Sequence, residues 1–320
     1  MTDRRIFAVT AASGHVGGYA ARALLEQGHV VRAMGRHMGR LQGLVDSGAE
    51  PWIGDLHDAS YVEKAVTGVD GALLIVPPHP AAVDFQAYQN EIAAVFAAAA
   101  PRSGLKQAVF ISVLGASDDR AGGLIAGHAD IERHLNGVPG LNVVHLRPSG
   151  FMEFFYYLLK PLREEGVLRS PIGPHANLEL VAARDVGRSA AAILVEGHIR
   201  NVGFFDLPAV RSVTLSEVAR LIGQGLGRPV TVEQYTHEED IRDLMAAGTG
   251  KTFATMLNET WAMMNAMGEM PPLDVRPVTA ATYSIEDFVK NDLVPAILSS
   301  RPISDFSTAT RPRPAELEAA

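Results

Sequence analysis

Along the first 150 positions, short apolar runs alternate with stretches whose apolar residues recur at helical spacing. The runs predict strands at Arg5–Thr10, Val30–Met34, Glu50–Ile53, Gly71–Val76, Ala108–Ser112 and Asn142–Leu146. The stretches between them predict helices at 16–27, 38–47, 58–66, 81–100 and 124–136. Strict strand–helix alternation implies a parallel sheet with helices on both faces. Phe7-Ala8-Val9 and Leu73-Leu74-Ile75-Val76 are continuous rather than alternating, as strands covered on both sides should be. The predicted fold class is α/β, a doubly wound parallel sheet.

After Pro148 the rhythm changes. Residues 151–163 form one aromatic, helix-like stretch, followed by a Gly/Pro loop from Ser170 to His175. Strands are expected at 178–182, Val202–Leu207 and Val230–Gln234, and helices at 184–196, 215–226, 237–247 and 251–267. Thr214 and Glu217 have capping-box spacing, as do Ser284 and Asp287 at the start of a helix ending near Leu293. The Pro-, Ser- and Thr-rich stretch 301–320 reads as a loose tail.

Composition narrows the classes. At 320 residues, 47% apolar and 20% charged, the chain has ample material for a core and is too apolar to be disordered. A net charge of −8 argues against a direct nucleic-acid binder, which needs a basic field. No cysteine is present, which excludes disulfides, a thiolate metal site and a cysteine nucleophile. No apolar run reaches the length of a membrane span, and the apolar stretch after Asp3-Arg4-Arg5 is too short for a signal peptide. A cytoplasmic protein is expected, and a homodimer is compatible with the sequence.

The segment Thr10-Ala11-Ala12-Ser13-Gly14-His15-Val16-Gly17-Gly18 follows the first strand and opens the first helix. A tight glycine turn there lets backbone N–H groups and the helix N-terminus meet a pyrophosphate. The complete dinucleotide fingerprint is absent, since Ala11 holds the place of an earlier glycine and only Gly14-x-x-Gly17 survives. At the end of the second strand an NAD site would place an acid, but Arg36 stands there, with Arg40 one turn on. A guanidinium suits a 2′-phosphate, so the expected cofactor is NADPH/NADP. Asp55 in Gly54-Asp55-Leu56 is placed to accept from an adenine amino group, or to cap a helix, or both. Val76-Pro77-Pro78 ends the fourth strand where a cofactor ribose would pass.

These segments, with Phe110-Ile111-Ser112-Val113-Leu114-Gly115-Ala116 and Leu146-Arg147-Pro148-Ser149-Gly150-Phe151-Met152-Glu153, resemble the NmrA-like, atypical branch of the short-chain dehydrogenase/reductase superfamily. The resemblance covers about residues 5 to 210 and thins beyond. It implies a Rossmann-like domain over 1–150, to which 176–210 return, and a smaller α/β substrate domain over 151–300. It implies cofactor contacts from Thr10, Ala12, Ser13, Gly14, His15, Val16, Gly17, Arg36, Arg40, Asp55, Leu56, Val76, Pro77 and Pro78. Ser112, Val113, Pro148 and Ser149 complete that set, and Leu114, Phe151, Met152, Phe154 and Phe155 are the substrate-side candidates. Typical superfamily members carry Tyr-x-x-x-Lys after the fifth strand, whereas this chain has His128-Ala129-Asp130-Ile131-Glu132. The i, i+4 spacing allows Glu132 to orient or charge His128, and a histidine can serve as a proton donor. Ser112 is placed to hydrogen-bond nicotinamide or substrate, so the catalytic candidates are His128, Glu132 and Ser112.

Other patterns fail. Tyr156-x-x-x-Lys160 follows the sixth strand rather than the fifth. Gly248-Thr249-Gly250-Lys251-Thr252 lacks the first glycine of a P-loop, whose place is held by Met245. His237-Glu238-Glu239-Asp240 has no second histidine at i+4, and no metal site is expected. Three functions stay open: an NADPH-dependent reductase of a small apolar carbonyl, enone or quinone, with His128 or water as proton donor; an NADP(H)-binding redox sensor without turnover; and a biosynthetic isomerase or cyclase.

Overall fold

A computed structural model describes residues 4–116, 122–197, 202–266 and 273–301. The first half alternates strand and helix: β1 (Ile6–Val9), α1 (His15–Glu26), β2 (Val30–Gly35), α2 (Met38–Val45), β3 (Glu50–Ile53), α3 (Ala59–Val66), β4 (Gly71–Leu74), α4 (Phe85–Ser103), β5 (Gln107–Ile111), α5 (Gly123–Asn136) and β6 (Asn142–Pro148). The second half continues with β7 (Gly150–Phe151), a 3-10 segment Met152–Leu158, α6 (Leu159–Glu164), β8 (Val167–Ser170), β9 (Leu178–Val181), α7 (Ala183–Glu196), β10 (Gly203–Leu207) and β11 (Ser212–Val213). It closes with α8 (Leu215–Leu226), β12 (Thr231–Gln234), α9 (His237–Ala246), α10 (Lys251–Ala266), α11 (Ile285–Phe288), a π-helical turn Val289–Leu293 and α12 (Val294–Leu298).

The central sheet has the order β10-β6-β5-β4-β1-β2-β3, all parallel. This is the doubly wound Rossmann-like arrangement, and strand order reverses between β1 and β4, where ligands of such sheets bind. Its two faces are packed separately. Phe7, Val9, Leu73 and Val109 meet α1 and α7 residues such as Leu24, Val186 and Ala190 on one face. Ala8, Leu74 and Phe110 meet Ile92, Phe96 and Ile131 of α4 and α5 on the other. A third apolar core, including Phe155, Leu162, Leu215, Ile222, Phe288 and Ile297, belongs to the second half. There β9 sits between β7 and β11, and β12 pairs with β8. Residues 183–207 return to the central sheet: β10 pairs with β6, and α7 packs on α1. The approach of α7 to α1 is close enough that a Cβ on Gly187 would lie 2.6 Å from the Val16 carbonyl oxygen.

Several elements differ from the sequence reading. The expected helix over 151–163 is a strand, a 3-10 segment and a short α-helix. Pro161 explains the break: it has no N–H to donate back along a continuous helix, and it is accommodated only in the first turn of α6. Helix α4 starts at Phe85 rather than 81, because Asp84 accepts the Ala87 N–H at 2.9 Å. Thr214 caps α8, but Glu217 does not reach back to close the box; its carboxylate binds Arg211 at 2.8 Å. Full capping boxes form at Thr236/Glu239 and Ser284/Asp287. Strands β7, β8 and β11 were not anticipated. The expected tail falls outside the described residues, save its first position, Arg301.

Candidate functional site

The carboxyl ends of β1, β2, β4, β5 and β6 converge on one edge of the sheet, and the predicted site residues follow them. At the end of β1, Ala11 takes a left-handed conformation with φ 48°. Its carbonyl accepts the Gly14 N–H at 2.9 Å, closing the turn. Gly17 is required here, because a Cβ would stand 2.5 Å from that carbonyl oxygen. Thr10 is buried, and its hydroxyl is bound to the end of β4, accepting the Ile75 N–H at 2.6 Å. It braces the turn. Gly14 is the N-cap of α1 and has no side chain with which to cap it, so the positive end of the α1 dipole faces the turn. Ala12 is buried, Ser13 is exposed, and the His15 ring lies 5.8 Å from that of Tyr156.

Arg36, just after β2, and Arg40, in α2, are exposed and carry no ion pair among the described residues. Arg32, by contrast, is consumed structurally: it donates to the Ala65 and Thr67 carbonyls and stacks on Trp52. Beside Arg36 lies a group the sequence reading missed. His57 donates its N–H to Asp55 at 2.9 Å and brings its ring to the same carboxylate, and the His57 and His79 rings each lie 5.2 Å from Tyr88. Partial burial works against the Asp55 charge, but the His57 bonds and Arg36 outweigh it and hold the carboxyl below its ordinary value. The Asp55-x-His57 spacing and the histidine after Pro77-Pro78 were the available signals. Tyr88 donates to the Pro77 carbonyl, tying α4 to the turn after β4. Val76 and Leu56 are partly buried against the α3–α4 core, while Pro78 is exposed.

At the ends of β5 and β6 sits a buried polar network. The Ser112 hydroxyl donates to Glu132 Oε1 at 2.5 Å. Arg147 grips the same carboxylate with two bonds, Nε to Oε1 at 2.9 Å and Nη2 to Oε2 at 2.6 Å. The other side of Arg147 stacks on Phe204. Burial alone would push the Glu132 carboxyl up, but Arg147 and Ser112 hold it below its usual value. Glu132 therefore turns to Arg147 and Ser112 rather than to His128. His128 sits with Nδ1 2.9 Å from the Leu124 carbonyl oxygen. Burial holds its imidazole below the ordinary histidine value, so at neutral pH it is uncharged and its one N–H is given to Leu124. Ser149 is 3% exposed and its Oγ has no partner among the described residues. Val113 and Leu114 are partly buried, and the Leu114 N–H is bound to the Pro148 carbonyl. Met152 and Phe155 lie inside the second core, whereas Phe151 and Phe154 are partly exposed, Phe154 5.0 Å from Trp261.

The residues fit a phosphorylated dinucleotide in four respects. The turn at Gly17 admits only backbone, the Gly14 N-cap of α1 carries no side chain, Arg36 just after β2 and Arg40 in α2 make no ion pair among the described residues, and the buried Ser149 hydroxyl has no partner among them. No group of three or more acidic or histidine side chains able to hold a metal occurs among the described residues. Nor is any helix among them long and apolar enough to cross a membrane.

A model of the NmrA-like family matches residues 3–288, nearly the whole chain. The chain belongs to the NmrA-like family. Among solved structures, this NmrA-like protein is similar to the triphenylmethane reductase of a Citrobacter species in complex with NADP(H). That pair has a TM-score of 0.75 and 22% identity, covering 89% of this chain and 99% of the other. An NADPH-dependent quinone oxidoreductase of Escherichia coli in complex with NADPH gives a TM-score of 0.73 at 21% identity, covering 88% and 98%. NmrA, a negative transcriptional regulator solved with NADP, gives 0.68 at 16%, covering 90% and 95%. At these identities the likeness is one of fold. An uncharacterized Schizosaccharomyces pombe protein is 40% identical over 86 residues, 27% of this chain and 28% of that protein's length.

Proposed function

We propose that this protein is an NADPH-dependent reductase of a small apolar carbonyl, enone or quinone. The observation that carries the reading is the pairing of a Cβ-intolerant glycine turn at the start of α1 with Arg36 just after β2 and Arg40 in α2, neither in an ion pair among the described residues. The turn and α1 N–H groups would hold the pyrophosphate, Arg36 and Arg40 the 2′-phosphate, Asp55 and Leu56 the adenine, and Ser149 with Ser112 the nicotinamide end. The cofactor, when bound, supplies the hydride. NADP(H) in similar structures supports the choice of cofactor, and the names of the Citrobacter and E. coli proteins support reduction of a conjugated acceptor.

The proton for the reduced product comes from water. The Ser112 proton is committed to Glu132, the Glu132 carboxylate is locked by Arg147, and the His128 N–H is committed to Leu124. In this reading Ser112 would serve as an acceptor, and the second ring nitrogen of His128 would orient that water.

The same commitment of protons favours a second reading, an NADP(H)-binding redox sensor without turnover, in keeping with the regulator NmrA among the similar structures. Titration with NADPH, NADH and NADP⁺, followed by NADPH oxidation with a quinone and an enone, tests both. Tight NADPH binding with quinone-dependent oxidation supports the reductase. Tight binding with no oxidation of NADPH by any acceptor favours the sensor. No nucleotide binding refutes both.

A further inference from the structure

Helix α10 is joined to both halves of the molecule. At its N-terminal end, the Gly250 N–H donates to the Pro80 carbonyl at 2.7 Å, and Thr252 Oγ1 accepts the Phe85 N–H, the first of α4, at 3.0 Å. At its other end, Trp261 packs on Phe154, and Asn265 binds the Gly173 N–H at 2.8 Å and the Pro171 carbonyl at 3.0 Å. Between these anchors it meets α5. Gly122, the N-cap of α5, has no side chain to offer. The missing caps come from α10: Glu259 Oε2 accepts the Gly123 N–H at 3.0 Å, and Thr260 Oγ1 accepts the Leu124 N–H at 3.2 Å. The carboxylate also stands at the positive end of the α5 dipole. Contact is close enough that a Cβ on Gly123, at φ 57°, would lie 2.4 Å from the Met256 carbonyl oxygen. A buried network holds α9 to α10, with Asn258 bound to His237 at 2.9 Å and to Asp240 at 2.8 Å, and Tyr235 bound to Asp240 at 2.6 Å.

Leu124 is the link to the site. Its N–H is held by Thr260, and its carbonyl holds the His128 ring. We propose that Glu259 and Thr260, carried on α10, are positioning residues for His128. The caps fix the first turn of α5, the first turn fixes the Leu124 carbonyl, and the carbonyl fixes the imidazole. The turnover part of this proposal rests on the reductase reading; the structural part does not.

The test uses the full chain saturated with NADPH, comparing wild type with E259A/T260V, T260V and E259Q. Amide exchange is followed over 122–130, together with the NMR titration of the His128 ring. Loss of both caps is expected to speed exchange there about tenfold or more. Weakening the Leu124 bond removes an interaction that favours the protonated ring, so the His128 titration moves further below the ordinary histidine value, while NADPH affinity stays within about twofold. E259Q keeps an acceptor oxygen and recovers most of both signals, and T260V alone reads the effect if the double variant does not fold. Quinone turnover falls about tenfold in kcat in the double variant. Unchanged exchange and titration overturn the proposal. Changed exchange with unchanged kcat overturns it too, since the caps would then be structural only. A wild type that oxidises no NADPH refutes the reductase reading instead, and the exchange and titration arms still decide the positioning claim.

Discussion

Glu153 offers a test that needs no substrate. Its carboxylate accepts the Ala183 N–H, at the start of α7, through both oxygens at 3.0 and 3.1 Å. Burial nevertheless pushes its carboxyl from 4.5 up to about 7, with Asp292 and Asp185 adding repulsion that the N–H bonds only partly offset. An acid whose value is raised on folding is favoured in its protonated form. Stability is therefore full below pH 4.5 and lost as pH rises through 7. A rise from 4.5 to about 7, at 1.36 kcal/mol per unit, gives an upper bound of about 3 kcal/mol, and partial water access reduces this to about 2. The variant E153Q keeps the shape and an acceptor for Ala183 but cannot ionise. Its melting temperature should match wild type at pH 4.5 and exceed it by roughly 4 °C at pH 8.5, at roughly 2 °C per kcal/mol for a chain of this size. Thermal melts across pH 4.5 to 8.5 measure the difference. A pH-independent gap, or one that widens toward acid, would refute the assignment of a buried, repelled carboxyl at this position.

Three further outcomes are expected. G17A should abolish nucleotide binding in a fluorescence titration, because its methyl meets the Ala11 carbonyl at 2.5 Å and displaces the turn. R36A should weaken NADPH binding about tenfold or more while leaving NADH within about twofold; equal losses for both would remove Arg36 from the 2′-phosphate. R147A strands the Glu132 carboxylate, 5% exposed, and should cost about 3–5 kcal/mol in denaturant unfolding, while E132L/R147M should recover most of it. A double variant as unstable as R147A would contradict the account of Glu132 as a locked charge.

Much of the first half was legible because burial on both faces writes continuous apolar runs into β1 and β4, and glycines mark the turns that backbone geometry demands. Strand β3 was read to the residue, and β2 and α5 to within one. The second half was harder. Strands β7 and β11 are two residues long and carry no periodicity, and β8 is defined by its pairing with β12, distant in sequence. In the site, spacing correctly put Glu132 one turn beyond His128, but spacing cannot show that Arg147, from strand β6, would outcompete a neutral histidine for the carboxylate. The clustering of His57, His79 and Tyr88 was hidden for the same reason: each follows a different element, and only the sheet order brings them together. The capping of α5 by α10 is a contact over 136 residues, beyond any local signal.

The return of α7 and β10 to the central sheet bears on how the molecule can be assembled and divided. The cofactor turn is written in the first twenty residues, yet α1 is backed by a helix that ends at Glu196, and β6 acquires its outer neighbour only with β10. On a ribosome, the nucleotide cradle would emerge early and wait for some 180 further residues before its supporting face arrived. A fragment cut after residue 150 would keep six strands but leave the small-residue face of α1 open. The two halves share a stitched backbone rather than a linker, so exchange of one half between relatives would have to carry 183–207 along with the first.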